Sequence, residues 1–243
     1  MIKGIYKSAS AMIPRIKKQE VIANNLANAS SPGYKKDLIF TKELSRAEQS
    51  RTVKQTDWQT RMIDQVYTDF DQGGLDKTGN PLDLALEGEG FFVFETPDGE
   101  QVLSRAGNLT VSPDGYIVNS EGHRLMSSGG SINVGGGEVE ISEDGQVQVD
   151  GASVGTIDVV VPDDNNRIIK VGSTEFNVPQ NVALAPAIKF VIRQGYLESS
   201  NVETVTEMID MISSFRNYEA DANSIKTQDE SLEKLFNNVG RVR

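Results

Sequence analysis

The sequence predicts an α+β fold, with a long helix at each end, extended connectors, and a central all-β domain of short strands. Three observations carry that prediction. Apolar residues recur at alternating steps of three and four over residues 1–28, and again over 203–239. Between these ends, Asp-Gly pairs at 98–99, 114–115, 144–145 and 150–151 separate short apolar stretches. The composition is turn-rich, with 22 glycines in 243 residues and only 37% hydrophobic residues.

The N-terminal apolar seam runs Ile2, Ile5, Ala9, Met12, Ile16, Gln19, Ala23, Leu26. Its mean step of 3.5 is the coiled-coil period. Pro14 interrupts it and predicts a kink or a restart, and Pro32-Gly33 predicts a stop after Asn28. Residues 34–75 read as an extended connector. From 76 to 179 the pattern is β, because Asp-Gly between apolar stretches is the strongest short hairpin signal. Candidate strands include Phe91–Glu95, Gln101–Ser104, Val139–Ile141, Gly155–Val161 and Phe176–Val178, in a barrel or sandwich arrangement. Residues 180–202 return as a second connector, with a strand over Ala187–Arg193. The C-terminal seam runs Met208, Met211, Phe215, Tyr218, Ala222, Ile225, Asp229, Leu232, Phe236, Val239, with no Pro or Gly from 202 to 239. The expected organisation is therefore a coiled-coil-like terminal domain (1–33 with 203–243), connectors (34–75 with 180–202) and a β domain (76–179).

Charge separates the two ends. Residues 1–36 hold seven Lys/Arg against one acid, whereas residues 198–243 hold nine acids against five bases. Opposite charge beside two apolar seams favours pairing of one end with the other. The net charge of −11 argues against a nucleic-acid partner. Apolar runs are far shorter than the roughly 18 residues of a membrane span, and no cleavable signal pattern opens the chain.

Catalytic chemistry is absent from the pattern. His123 is the sole histidine and there is no cysteine, so zinc-ligand spacing and thiolate chemistry are excluded. His123 sits in Glu121-Gly122-His123 and reads as a solvated turn residue. Asp163-Asp164-Asn165-Asn166 lacks the alternate-position spacing and terminal glutamate of a calcium loop, and reads as a polar turn. Gly88-Glu89-Gly90 does not fit a dinucleotide fingerprint. No cofactor, metal or small-molecule substrate is expected, and no enzyme activity.

The motifs at the ends carry a resemblance. Ala23-Asn24-Asn25-Leu26-Ala27-Asn28, followed by Gly33-Tyr34-Lys35-Lys36, resembles the N-terminal signature of bacterial flagellar basal-body rod and hook proteins. Gly195-Tyr196-Leu197-Glu198-Ser199-Ser200-Asn201-Val202, with Glu207-Met208-Ile209-Asp210-Met211-Ile212, is similar to the C-terminal signature of the same family. Thr78 to Leu86, Gly90-Phe91-Phe92 and Arg105-Ala106-Gly107-Asn108 match its central part. Pro14 and Ala29-Ser30-Ser31-Pro32 depart from the family pattern.

The resemblance implies a structural subunit of the basal-body rod, of the proximal or distal subclass, that polymerises helically into the axial drive shaft. Its partners would be copies of itself, other rod or hook proteins and the type III export apparatus. It would cross the periplasm within the basal body, exported without a cleaved signal. Its terminal helices would line the tube. The expected assembly residues are Ile5, Met12, Ile16, Asn24, Asn25, Leu26, Asn28, Met208, Met211, Ile212, Phe215, Tyr218, Ile225, Leu232 and Phe236. Phe40 and Leu44 resemble the short element that docks such subunits at the export gate. Two other readings stay open: a hook-type axial subunit, and a secreted β-domain binding module with amphipathic anchoring helices.

Overall fold

The computed structural model describes residues 2–42 and 62–239, with side chains described for residues 8–9, 11–39 and 66–237. The chain divides into two compact units. The first draws on Met1–Ala27, Asp37–Thr68 and Glu203–Arg243, and the second on Asn28–Lys36 and Asp69–Val202.

In the first unit, helix α1 spans Ile2–Ala27 and helix α2 spans Thr204–Val239. At 1.5 Å per residue, the 36 residues of α2 extend about 54 Å. α1 runs unbroken through Pro14, whose side chain is buried, so the expected restart there is not observed. Asp37–Lys42 and Met62–Thr68 pair antiparallel, with Asp37 opposite Thr68 and Ile39 opposite Val66. The stretch read as a bare connector therefore contains a strand ladder.

The second unit is antiparallel β throughout its described strands. Its largest sheet runs, in spatial order, Ile169–Val171, Glu175–Asn177, Gln101–Ser104, Phe91–Glu95, Arg124–Ser127, Ile117–Val118 and Thr110–Val111. The Phe91–Glu95 strand is central because both of its faces are apolar. Phe92 and Phe94 enter one core with Leu84, Leu86, Leu125 and Ile192, while Phe91 and Val93 enter another with Leu103 and Phe176. In the second core the Phe70, Phe91 and Phe176 rings stack edge-on or tilted, with centroids 5.2–5.8 Å apart.

The sequence reading is corrected at several strands. The single strand expected over Gly155–Val161 is two, Ala152–Thr156 and Val159–Pro162, which belong to different sheets. The break falls at Ile157 and Asp158, where Ile157 donates to the Gly145 carbonyl and Asp158 to the Met126 carbonyl. Leu84–Gly88, not anticipated as a strand, pairs with Phe190–Gln194. Only Asp150-Gly151 has both turn residues at positive φ (50° and 82°). At Asp98-Gly99, Asp114-Gly115 and Asp144-Gly145 the glycine alone is positive, and the next residue closes a one-residue bulge.

Candidate functional site

In the first unit α1 and α2 pack antiparallel, and opposite charges meet across them. Arg15 Nε lies 3.0 Å from Asp221 Oδ2, and Lys18 Nζ lies 3.3 Å from Asp210 Oδ2. Ser214 Oγ donates to the Arg15 carbonyl at 3.4 Å. These ion pairs are part-exposed, so each contributes little, about 0–1 kcal/mol.

The buried side of each helix is not quite the expected seam. On α1 Ile22 is buried, at 4% exposure, and Met12 and Leu26 are half-buried, whereas Ile16 and Ala23 face outwards. On α2 Met211, Tyr218, Ala222, Ile225 and Leu232 are half-buried. Met208, Ile212 and Phe215 lie outside, and Phe215 is 60% exposed. With Val205 and Ile209 they form a second apolar stripe, spaced three and four, that no part of this unit covers among the described residues. Phe236 is also exposed, beside Leu235. The physical reason is that a 3.5-residue repeat drifts against a helix of 3.6 residues per turn, about 20° per heptad. One string of apolar positions thus crosses two faces.

The asparagines do different work. Asn25 is buried and clamps the backbone of Asp37, donating from Nδ2 to its carbonyl and accepting from its N–H through Oδ1, both at 2.9 Å. The carbonyl of Asn28 accepts from the Ser31 N–H at 3.0 Å, closing the turn after α1. Asn24 is exposed on α1. The side chains of Ile5 and Phe40, and all of Leu44, lie outside the described residues; the backbone of Phe40 is in the Asp37–Lys42 strand.

The second unit holds a group of residues that charge patterning missed. Lys35 Nζ sits 2.6 Å from Glu198 Oε1 with side chains 1% and 0% exposed, and Arg105 Nη1 sits 3.3 Å from Glu198 Oε2 at 6% exposure. Lys35 also donates to the Asp71 carbonyl, and Arg105 donates to the carbonyls of Leu86 and Gly88. Burial pushes the Lys35 ammonium and the Arg105 guanidinium below their usual ranges, and the Glu198 carboxylate opposes both shifts. Backbone bonds tie the same segments: Gly33 N–H donates to the Glu198 carbonyl at 2.7 Å, and Lys36 N–H to Asn201 Oδ1 at 2.8 Å. Gly33 is required here, since its φ is +70° and a Cβ would fall 2.3 Å from the Ala106 nitrogen. Residues 33–36 are thereby built into the β unit and not into the helical one. The only sequence signal for them was the family-like Gly33-Tyr34-Lys35-Lys36 string.

His123 is not the solvated turn residue that the sequence reading expects. Its Nδ1 lies 2.7 Å from Glu175 Oε1, which also accepts from Asn119 Nδ2 at 2.6 Å. Asp164 accepts from the Asn166 N–H and caps a short 3-10 turn. Among the described residues no group of three or more His, Asp or Glu could hold a metal ion, and no helix is long and apolar enough to cross a membrane.

Comparison with known proteins places these segments. Family models match residues 5–35 ("Flagella basal body rod protein"), 85–149 ("Flagellar hook protein FlgE/F/G D1 domain") and 193–238 ("Flagellar basal body rod FlgEFG protein C-terminal"). Lys35, Arg105 and Glu198 each fall in a different one of these matches. The chain is 31% identical over 249 residues to the flagellar basal-body rod protein FlgF of Caulobacter vibrioides, with both chains covered in full. It is 31% identical to FlgF of Salmonella typhimurium, covering 95% of this chain and 96% of that one. It is 27% identical to the rod protein FlgG of Bacillus subtilis, covering 98% and 99%.

Proposed function

The chain belongs to the flagellar basal-body rod protein family, and on that premise we propose that its terminal helices are the surfaces through which copies add to a helical axial tube. It is a structural subunit of the flagellar basal-body rod and associates with other flagellar axial proteins. The single observation that carries the finer reading is the division of α2 into two apolar faces. One is covered by α1; the other, Val205–Met208–Ile209–Ile212–Phe215, is left open. The helix pair also buries Gln19 Nε2 and Gln228 Oε1, which find no hydrogen-bond partner among the described residues, as expected where further contacts complete the pair.

In this reading the open stripe binds a helix of a neighbouring copy or of another axial protein, as a coiled-coil-like contact. Such contacts are heterologous and propagate into a filament instead of closing a ring. The in-chain pair is thin, so the ends gain their full order only on addition to the tube. The subunit is delivered by the flagellar type III apparatus, with Phe40 and Leu44 as its gate-docking element, and it carries out no catalysis. End-to-end similarity to rod proteins favours rod over hook, and family membership displaces the binding-module reading.

Replacing Phe215 with Asp tests the proposal. The variant should keep its β unit folded yet yield no rods in isolated basal bodies and no motility. Normal rods and swimming from a Phe215→Asp strain would sink it.

A further inference from the structure

We propose that the β unit is a latch closed last by residues 195–202, because Glu198 is the buried anion that two buried cations, Lys35 and Arg105, both require. Three distant parts of the chain converge on that one carboxylate. Lys35 meets one oxygen at 2.6 Å and Arg105 the other at 3.3 Å. Among the described residues the remaining partners of the two cations are the carbonyl dipoles of Asp71, Leu86 and Gly88 and, for Arg105, the Phe91 ring 5.5 Å away, which solvate a charge but do not neutralise it. The nearest further acids act from a distance. Asp69 is paired to Lys36 at 3.3 Å. Glu89 is exposed and influences Arg105 only through its field.

The arrangement is asymmetric. With all three groups present the cluster carries one net positive charge. Without Lys35, Glu198 and Arg105 balance. Without Glu198, two cations are buried with no counter-charge, which is among the costliest defects a core can hold. The backbone reinforces the point. The Tyr196–Glu198 strand pairs with Leu75–Lys77, Gly73 N–H donates to Glu198 Oε1 at 3.0 Å, and Ser199 N–H donates to the Gly74 carbonyl at 2.8 Å.

Chains are made N-terminus first, so Lys35 and Arg105 exist before Glu198 does. A compact state formed earlier must leave both cations in water, and so cannot place residues 33–36 or close the sheet around Arg105. The β unit therefore completes its fold only when little more than α2 remains to follow. For an axial subunit that travels before it assembles, this delays a bulky fold. The latch itself does not depend on the route of travel.

Native-state hydrogen exchange on the full chain tests the latch. The amides of Gly33, Gly73 and Ser199 should open with the same free energy as those of the Phe91–Glu95 and Gln101–Ser104 strands. If the latch amides exchange through a separate, easier opening while the strands stay protected, the proposal is overturned. Glu198→Gln should raise the open population of the strands on the order of 100-fold or more, Lys35→Met by far less, and the double variant should recover part of the loss. A Glu198→Gln chain too unstable to fold, with the double variant folding again, gives the same support. Equal effects of the two single changes, or no recovery in the double variant, overturn it. Either failure would leave the rod assignment and the helix surfaces untouched.

Discussion

Lys35 and Glu198 stand 163 residues apart in sequence and 2.6 Å apart in space, in a pocket that excludes water from both side chains. That ion pair fixes the segment that follows α1 against the segment that leads into α2. The β unit consequently takes in Asn28–Lys36 as well as Asp69–Val202.

Lys35 gives the unit a defined response to alkaline pH. Burial outweighs the field of Glu198 and lowers the ammonium below its ordinary value of 10.5. Between the lowered value and 10.5 the unfolded chain binds a proton that the native unit does not, so this group's contribution to stability rises with pH across that window. Urea denaturation of the parent and of Lys35→Met should show the parent gaining relative to the variant as pH rises towards 10.5. A difference that stays flat or shrinks would contradict the assignment.

Gly33→Ala forces a side chain into a left-handed conformation and against the Ala106 backbone. The φ penalty alone is about 1–2 kcal/mol, and the clash adds to it. The β unit should lose roughly 2–4 kcal/mol in chemical denaturation, with no gain in helix content to offset it.

Phe92 is fully buried in the larger core. Phe92→Ala should cost about 3–5 kcal/mol, visible as a lower urea midpoint with an unchanged slope.

The two faces of α2 and α1 should separate by mutation. Ile22→Asp buries a charge in the helix pair and should lower helicity of the free subunit in circular dichroism. Ile212→Asp places a charge on the open stripe and should leave the free subunit's spectrum unchanged while abolishing rod formation. If Ile212→Asp assembles normally, the stripe is not the contact.

Limited proteolysis should trim the helical ends of the free subunit first. Residues 28–36 should remain bound to the 69–202 fragment even after cleavage between them, because Lys35, Gly33 and Lys36 are held by Glu198 and Asn201. Loss of residues 28–36 under native conditions would contradict the boundary.

Much of this architecture was legible in the residues. Period-3.5 patterning marked both helices, and Phe91–Glu95, Gln101–Ser104 and Val139–Ile141 were predicted at their observed limits because each is bounded by turn chemistry. Leu84–Gly88 was not, since Leu84, Ala85 and Leu86 are all buried and so show no alternation. The two faces of α2 merged into one seam because both are apolar. The buried triad was invisible for a different reason. In sequence Lys35 looks like one more charge on a basic end, and only the fold shows that its counter-charge comes from residue 198.

The central claim is that the terminal helices are the assembly surface, and a helical reconstruction of the rod built from this subunit tests it most directly. The account predicts that Val205, Met208, Ile209, Ile212 and Phe215 are packed against a helix of an adjoining subunit. Finding that stripe facing solvent, with subunits joined through their β units alone, would contradict it.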